Sequence, residues 1–368
     1  MKSLFDQTKL NTVQLKNRGL RSATWEGMAD EKGHLRAEHY RIHEELAAGG
    51  IGLIITGMAG VLGPSPQMFG IYNDSFIGEY EQLVISPAHK HACPVVLQIA
   101  YQGSQSGPKI AGGKVWALSA VKHRVSGLTP HEMTKSDIKV LIRAFALAAE
   151  RAKKAGFDGV QIHAAHGYFL NQSLSPYYNR RTDEYGGNTE KRARILYEVY
   201  EAIREVVGKD YLVMAKVNSE DFFEGGLTLR DSITVCQGLQ ERGIDTLEIS
   251  GGQKPHRATV DRISRTNLDK PADECYFLPQ AAKISAELDI PIILVGGNRD
   301  PQRLEETINI TDIEYLSFCR PLIREPSLFA RWQSGDLTKA ECISCNWCLR
   351  NAIKGEDLAC RFHEEGSS

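Results

Sequence analysis

Two histidines three residues apart open the run His163-Ala-Ala-His166-Gly-Tyr168. Imidazole nitrogens can hold and polarise a carbonyl or enolate oxygen, and a phenol hydroxyl beside them can give up a proton. The same pair also reads as half of a zinc site, for which Cys319 is the only nearby candidate at a strand end, or as one ordinary hydrogen-bonded core histidine. Lys216 supplies a cation that suits a developing negative charge, a phosphate or carboxylate, or Schiff-base chemistry. The glycine pairs Gly251–Gly252 and Gly296–Gly297, with Arg320, offer close backbone approach and a guanidinium to a phosphate, or else two tight turns and an ion pair. Thr24 and Gln98 add polar groups at the ends of apolar runs. Near the C-terminus, Cys342-x-x-Cys345-x-x-Cys348 is followed after eleven residues by Cys360. Four such thiols can ligate an iron–sulfur cluster or a structural zinc, or stand unligated.

These residues need a scaffold, and the sequence supplies a repeating one. Short runs rich in Val, Ile and Leu occur at residues 19–24, 50–57, 94–101, 157–163, 211–218, 244–252, 291–297 and 313–321. Such runs predict strands buried on both faces of a parallel sheet. Amphipathic stretches lie between them, the clearest at residues 136–154, with an apolar stripe through Ile138, Leu141, Ile142, Phe145, Ala148 and Ala149. Ser136 is its expected N-cap and Gly156 follows its last turn. Residues 189–206, 229–242 and 274–288 repeat the pattern. Eight strands alternating with helices, and no G-x-G-x-x-G after the first, predict an α/β fold: a (β/α)8 TIM barrel over residues 1–338 with a cysteine-rich tail over 339–368. The selected polar residues all sit at strand C-termini, where a barrel builds its site, and the long connections 102–134, 171–188 and 253–273 follow strand ends as well.

The remaining composition excludes more than it assigns. A formal net charge of −2 and 24% charged residues give no basic field for nucleic acid. No run approaches the roughly 18 apolar residues of a membrane span, and the first thirty lack the apolar stretch of a signal peptide, so a cytoplasmic protein is expected. The sequence leaves the oligomeric state open, a homo-oligomer included.

With these residues assembled, the chain resembles the Old Yellow Enzyme family of NADH:flavin oxidoreductases over residues 1–335. The most specific stretch is residues 163–194, HAAHGYFLNQSLSPYYNRRTDEYGGNTEKRAR; LKNRGLRSAT, AGGIGLIITG and FCRPLIREPSLF also fit. The resemblance implies FMN held by Ala23, Thr24, Gly57, Gln98, Lys216, Gly296, Gly297, Cys319 and Arg320. It implies that His163 and His166 hold the carbonyl oxygen of an unsaturated substrate, that Tyr168 is the proton donor and that Trp25 either narrows the pocket over the flavin or simply packs there. NADH or NADPH would be the reductant. The chain departs from the pattern at Tyr101 and Ser104, where relatives usually carry histidine and arginine, at Lys216, where many carry arginine, and at Trp25, where a smaller residue is common. The cysteine tail resembles the cluster-binding segment of the dienoyl-CoA reductase branch, with one residue fewer between its second and third cysteines; that branch's second nucleotide-binding domain is not expected in these 368 residues. From a different class, a phosphate-binding barrel lyase or isomerase using Lys216, or a zinc hydrolase, would draw on the same side chains.

Overall fold

The computed structural model describes residues 1–362 apart from 66, 106–113, 125, 254–263, 267 and 269. Eight parallel strands form a closed barrel: β1 (Gly19–Arg21), β2 (Leu53–Ile55), β3 (Val95–Ala100), β4 (Gly159–Ala164), β5 (Leu212–Asn218), β6 (Thr246–Ser250), β7 (Ile292–Val295) and β8 (Ile313–Phe318). Each pairs with the next, and β8 closes on β1 through Leu316 opposite Gly19. The eight predicted runs are these eight strands.

Alternation along each strand divides the side chains between two environments. Outward residues such as Ile54, Leu97, Ile99, Val160, Ile162, Val213, Val217 and Leu294 join the large core beneath the helices. Leu20, Leu53, Ile55, Val96, Leu212, Met214, Ile293 and Tyr315 form a separate interior cluster with Leu10, Val13 and Leu15. The last three belong to an antiparallel hairpin, Thr8–Leu10 with Val13–Leu15, which closes the N-terminal mouth and was not expected. Stepping two residues further along the strands from this apolar layer reaches Ser22, Gln98, Lys216 and Ser317. The interior is therefore apolar at the bottom and polar toward the C-terminal mouth.

The helices α1 (Glu38–Ala48), α2 (Ser86–His89), α3 (Lys135–Lys154), α4 (Thr189–Val207), α5 (Leu229–Glu241), α6 (Leu278–Ser285), α7 (Pro301–Ile310) and α8 (Leu328–Gln333) surround the barrel. Two boundaries differ from expectation for local reasons. Helix α3 is capped by Thr134 in place of Ser136: Thr134 Oγ1 accepts from Asp137 N while Asp137 Oδ2 accepts from Thr134 N at 2.8 Å. That reciprocal cap needs an acidic residue three positions on, which Ser136 lacks. Helix α6 starts four residues late, because Cys275 is left-handed (φ 50°) and Pro279 sits in the first turn. The loop after β3 carries a two-stranded pairing of Trp116–Ala117 with His131–Glu132, and most of the long loop after β6 lies outside the described residues. Among the described residues no helix is long and apolar enough to cross a membrane.

Candidate active site

The fourth strand ends at Ala164, one residue past His163, and the chain then turns sharply. His166 (φ 63°) and Gly167 (φ 79°) are consecutive left-handed residues. A histidine there is strained and must be held. Asn218 Oδ1 accepts from His166 N at 3.1 Å, and Asn171 Oδ1 accepts from Gly167 N at 2.7 Å. Both asparagine amides donate to Asp221 Oδ1, at 3.0 and 3.1 Å. The turn gathers the three predicted groups. The ring centroids of His163 and His166 lie 5.2 Å apart, and those of His163 and Tyr168 4.8 Å. His166 Nε2 is 2.7 Å from Ser250 Oγ, whereas the buried Nδ1 of His163 has no hydrogen-bond partner among the described residues. Tyr168 packs with Met58, Met68 and Ala100, an apolar wall beside two polar rings.

A buried ion pair lies beside these rings. Lys216, opposite His163 in the sheet, is 3% exposed; its Nζ donates to Ser22 Oγ at 2.8 Å and lies 3.2 Å from Glu248 Oε1. Burial, with Lys216 adding to it, pushes the His163 imidazole down to about 3. Burial, His163 and Lys216 carry His166 well below the ordinary histidine range. Both rings are therefore neutral at pH 7, and each carries one N–H.

The residues expected around a flavin occupy the same mouth. Thr24 Oγ1 lies 2.9 Å from Ser22 O and 3.1 Å from Cys319 Sγ, which joins the ends of β1 and β8. Ala23 packs on the interior cluster. Gly57 is required by crowding, since a Cβ there would lie 2.5 Å from Glu26 Oε2 and 2.7 Å from Thr24 O. Gln98 Nε2 donates to Gln161 Oε1 at 2.7 Å. Gly296 and Gly297 have φ of 111° and 79°, and a Cβ on either would lie within 3 Å of the Tyr276 ring. Backbone alone can therefore present itself at the end of β7. Arg320 Nη1 donates to Arg265 O, Ser344 O and Asn346 Oδ1. A guanidinium has five N–H donors, so this anchoring of the tail leaves capacity for a phosphate.

Other predicted residues turn out to have structural partners. Trp25 Nε1 donates to Gln67 O at 2.8 Å, which pins it to the loop after β2. Tyr101 Oη accepts from Trp116 N, and Ser104 Oγ donates to Gln172 Oε1, so these two of the four positions that depart from the family pattern hold loops. Gln161, Glu248, Ser22, Ser250, Asn171, Asn218 and Asp221 were missed. For Gln161, Asn218, Glu248 and Ser250 the signal was a polar residue at alternate positions of an otherwise apolar strand, whereas Ser22, Asn171 and Asp221 lie beyond the strand ends. Among the described residues no three His, Cys, Asp or Glu side chains converge on a single metal ion, so the zinc reading of His163 and His166 lacks its third ligand. The ammonium of Lys216, salt-bridged to Glu248, does not suit a Schiff-base lysine, which must react as a free amine.

The tail folds back on the barrel. Ala340 N donates to Arg299 O, Lys339 pairs with the buried Glu274, and a short helix follows at Trp347–Ile353. Cys342, Cys345, Cys348 and Cys360 line one small pocket together with Arg320 and Arg324.

Sequence comparison decides the family. Residues 3–338 match the model of the NADH:flavin oxidoreductase / NADH oxidase family. The chain belongs to that family. It is 35% identical over 328 residues to an NADPH dehydrogenase of Geobacillus thermodenitrificans, covering 88% of this chain and 91% of that protein. It is 30% identical over 369 residues to a metal reductase of Desulforamulus reducens, covering 99% of this chain and 54% of that protein. The chain thus spans about half the length of that relative and, at 53%, of an NADH oxidase of Thermoanaerobacter brockii. Among solved structures, a 2-naphthoyl-CoA reductase in complex with 2-naphthoyl-CoA superposes with a TM-score of 0.88 at 25% identity, over 97% of this chain and 56% of that one. An old yellow enzyme homologue from Zymomonas mobilis shares the fold, with a TM-score of 0.78 at 24% identity over 93% of this chain and 96% of that one.

Proposed function

We propose that this chain is an FMN-dependent NAD(P)H oxidoreductase acting on the activated C=C bond of α,β-unsaturated carbonyl compounds. The observation that carries this reading is the neutral, buried His163 with an unpartnered Nδ1, set beside His166, Tyr168 and the Lys216 cation. Bound FMN would supply hydride transfer, accepting from the nicotinamide and donating to the substrate. The residues present fit that group. Gln98 and Lys216 would meet its pyrimidine edge, Ala23, Thr24, Gly57 and Cys319 would flank it, and Gly296, Gly297 and Arg320 would take the phosphate.

His163, in its Nδ1–H tautomer, would donate to the substrate carbonyl oxygen, with His166 beside it held by Ser250. Two neutral donors polarise the carbonyl without placing a second cation beside Lys216, and they favour the charge that develops on oxygen. Tyr168 would deliver its phenolic proton to the alkene carbon that does not receive hydride. Met58, Met68 and Trp25 would form the apolar surroundings of the substrate.

The tail is read as the site of an iron–sulfur cluster, because its four cysteines share one pocket and their spacing resembles a cluster-binding segment. Cys342, Cys345, Cys348 and Cys360 would hold the cluster as thiolates, which would supply one-electron transfer. The barrel over 1–338 and the tail over 339–368 would then be two functional units of a cytoplasmic protein.

Half-reactions measured separately by stopped flow test the assignment. Tyr168→Phe should slow reoxidation by an enone about 10²–10⁴-fold, the usual contribution of a positioned acid, and leave reduction by NADPH nearly unchanged. Equal losses in both halves would remove Tyr168 from the proton-donor role.

A further inference from the structure

Below the mouth, where a barrel interior is ordinarily filled by branched apolar side chains, β6 carries a fully buried carboxylate, Glu248. Four donors satisfy it. Ser22 Oγ and Ser317 Oγ each donate to Oε1 at 2.7 Å, Gln161 Nε2 donates to Oε2 at 2.9 Å, and Lys216 Nζ lies 3.2 Å from Oε1. Burial pushes this carboxyl up, but Lys216 and the three hydrogen bonds outweigh burial and hold it below the ordinary glutamate range. An ionised carboxylate only accepts, so it dictates the orientation of each amide in the chain above it. Gln161 must turn Nε2 to Glu248 and Oε1 to Gln98, whose Nε2 then donates to it at 2.7 Å. Gln98 is in register with Gln161 and Lys216 with Glu248, and the hydrogen bond from Gln161 to Glu248 joins the two pairs across β3 to β6.

We propose that Glu248 is a positioning residue which fixes the Lys216 ammonium and, through Gln161, the Gln98 amide, and thereby tunes the reduction potential of FMN. The inference rests on the FMN reading above. A carboxylate at this depth partly cancels the field that Lys216 projects toward the mouth, and salt screens a buried pair little. Removing its charge strengthens the positive field and favours the reduced, more negative flavin.

Potentiometric titration of the intact protein under anaerobic conditions tests this. Glu248→Gln keeps size and shape and should favour reduction about tenfold, a rise of about 30 mV for a two-electron couple. Lys216→Met should lower the potential. In that background Glu248→Gln should add nothing, because a buried carboxyl without its cation takes up a proton and is neutral already. A purely structural role would instead lower the melting temperature and leave the potential where it was. If Glu248→Gln alone does not fold, Gln161→Met, which cuts the link from Glu248 to Gln98, takes its place. A shifted potential supports the proposal, and the wild-type potential overturns it. Wild-type protein that holds no FMN would sink the flavin reading; yellow wild-type protein whose potential Glu248→Gln leaves unmoved would overturn this inference alone.

Discussion

The neutrality of His163 can be tested by lowering the pH around a bound ligand. An exposed histidine with a pKa of about 6.5 is about 97% protonated at pH 5. His163, pushed down to about 3 by burial and by Lys216, is only about 1% protonated at that pH by the same relation. A phenol whose own ionisation lies well above pH 8 mimics the enolate oxygen and reports which form of the ring meets it. A neutral hydrogen bond contributes about 1 kcal/mol and one from a charged donor about 1.5–3 kcal/mol, so a ring that became cationic would tighten binding about tenfold. Calorimetric titration between pH 8 and 5 should give a dissociation constant constant within about twofold, together with no proton uptake in buffers of different ionisation enthalpy. Affinity that climbs tenfold through a midpoint near 6.5 would show a cationic donor and refute the argument from burial. His163→Ala should weaken the phenol at every pH by about 1–3 kcal/mol, the cost of one lost hydrogen bond in a buried site.

The same physics acts on His43, which is buried in α1 with Nδ1 2.7 Å from His39 O and pushed down to about 3 by burial. Its folded pKa is the depressed one, so its contribution is complete above about pH 6.5 and is lost as pH falls from there toward 3; at pH 5 the loss is about 2 kcal/mol. Urea unfolding of His43→Asn should therefore show an acid slope shallower than wild type by about one proton, and parallel slopes would contradict the assignment. For the tail, anaerobically purified protein should carry about four irons with matching sulfide, and Cys345→Ser should lose them; one zinc or no metal per chain would exclude the cluster.

The barrel was legible because parallel strands are buried on both faces and write themselves as uninterrupted runs of Val, Ile and Leu. The site was legible where its residues cluster in sequence, as His163, His166 and Tyr168 do. What was not legible is held by pairing across the barrel. Glu248 reads as one acidic residue in a strand, and only the register with Lys216 and the approach of Ser22, Ser317 and Gln161 give it a role. The hairpin at Thr8–Leu10 and Val13–Leu15 escaped for another reason: three-residue strands have no room for a period. Ser136 was a reasonable cap by type, but the reciprocal bond with Asp137 selected Thr134. Arg320 was expected to face a phosphate; that its Nη1 also ties down Ser344 and Asn346 depends on how the tail folds back, which no local signal carries.

Flavin content tests the central claim most directly. Purified protein should be yellow, should release one FMN per chain on denaturation, and should bleach under NADH or NADPH without oxygen and recover on addition of an enone. A colourless protein that takes up no FMN when it is offered would contradict the account at its root.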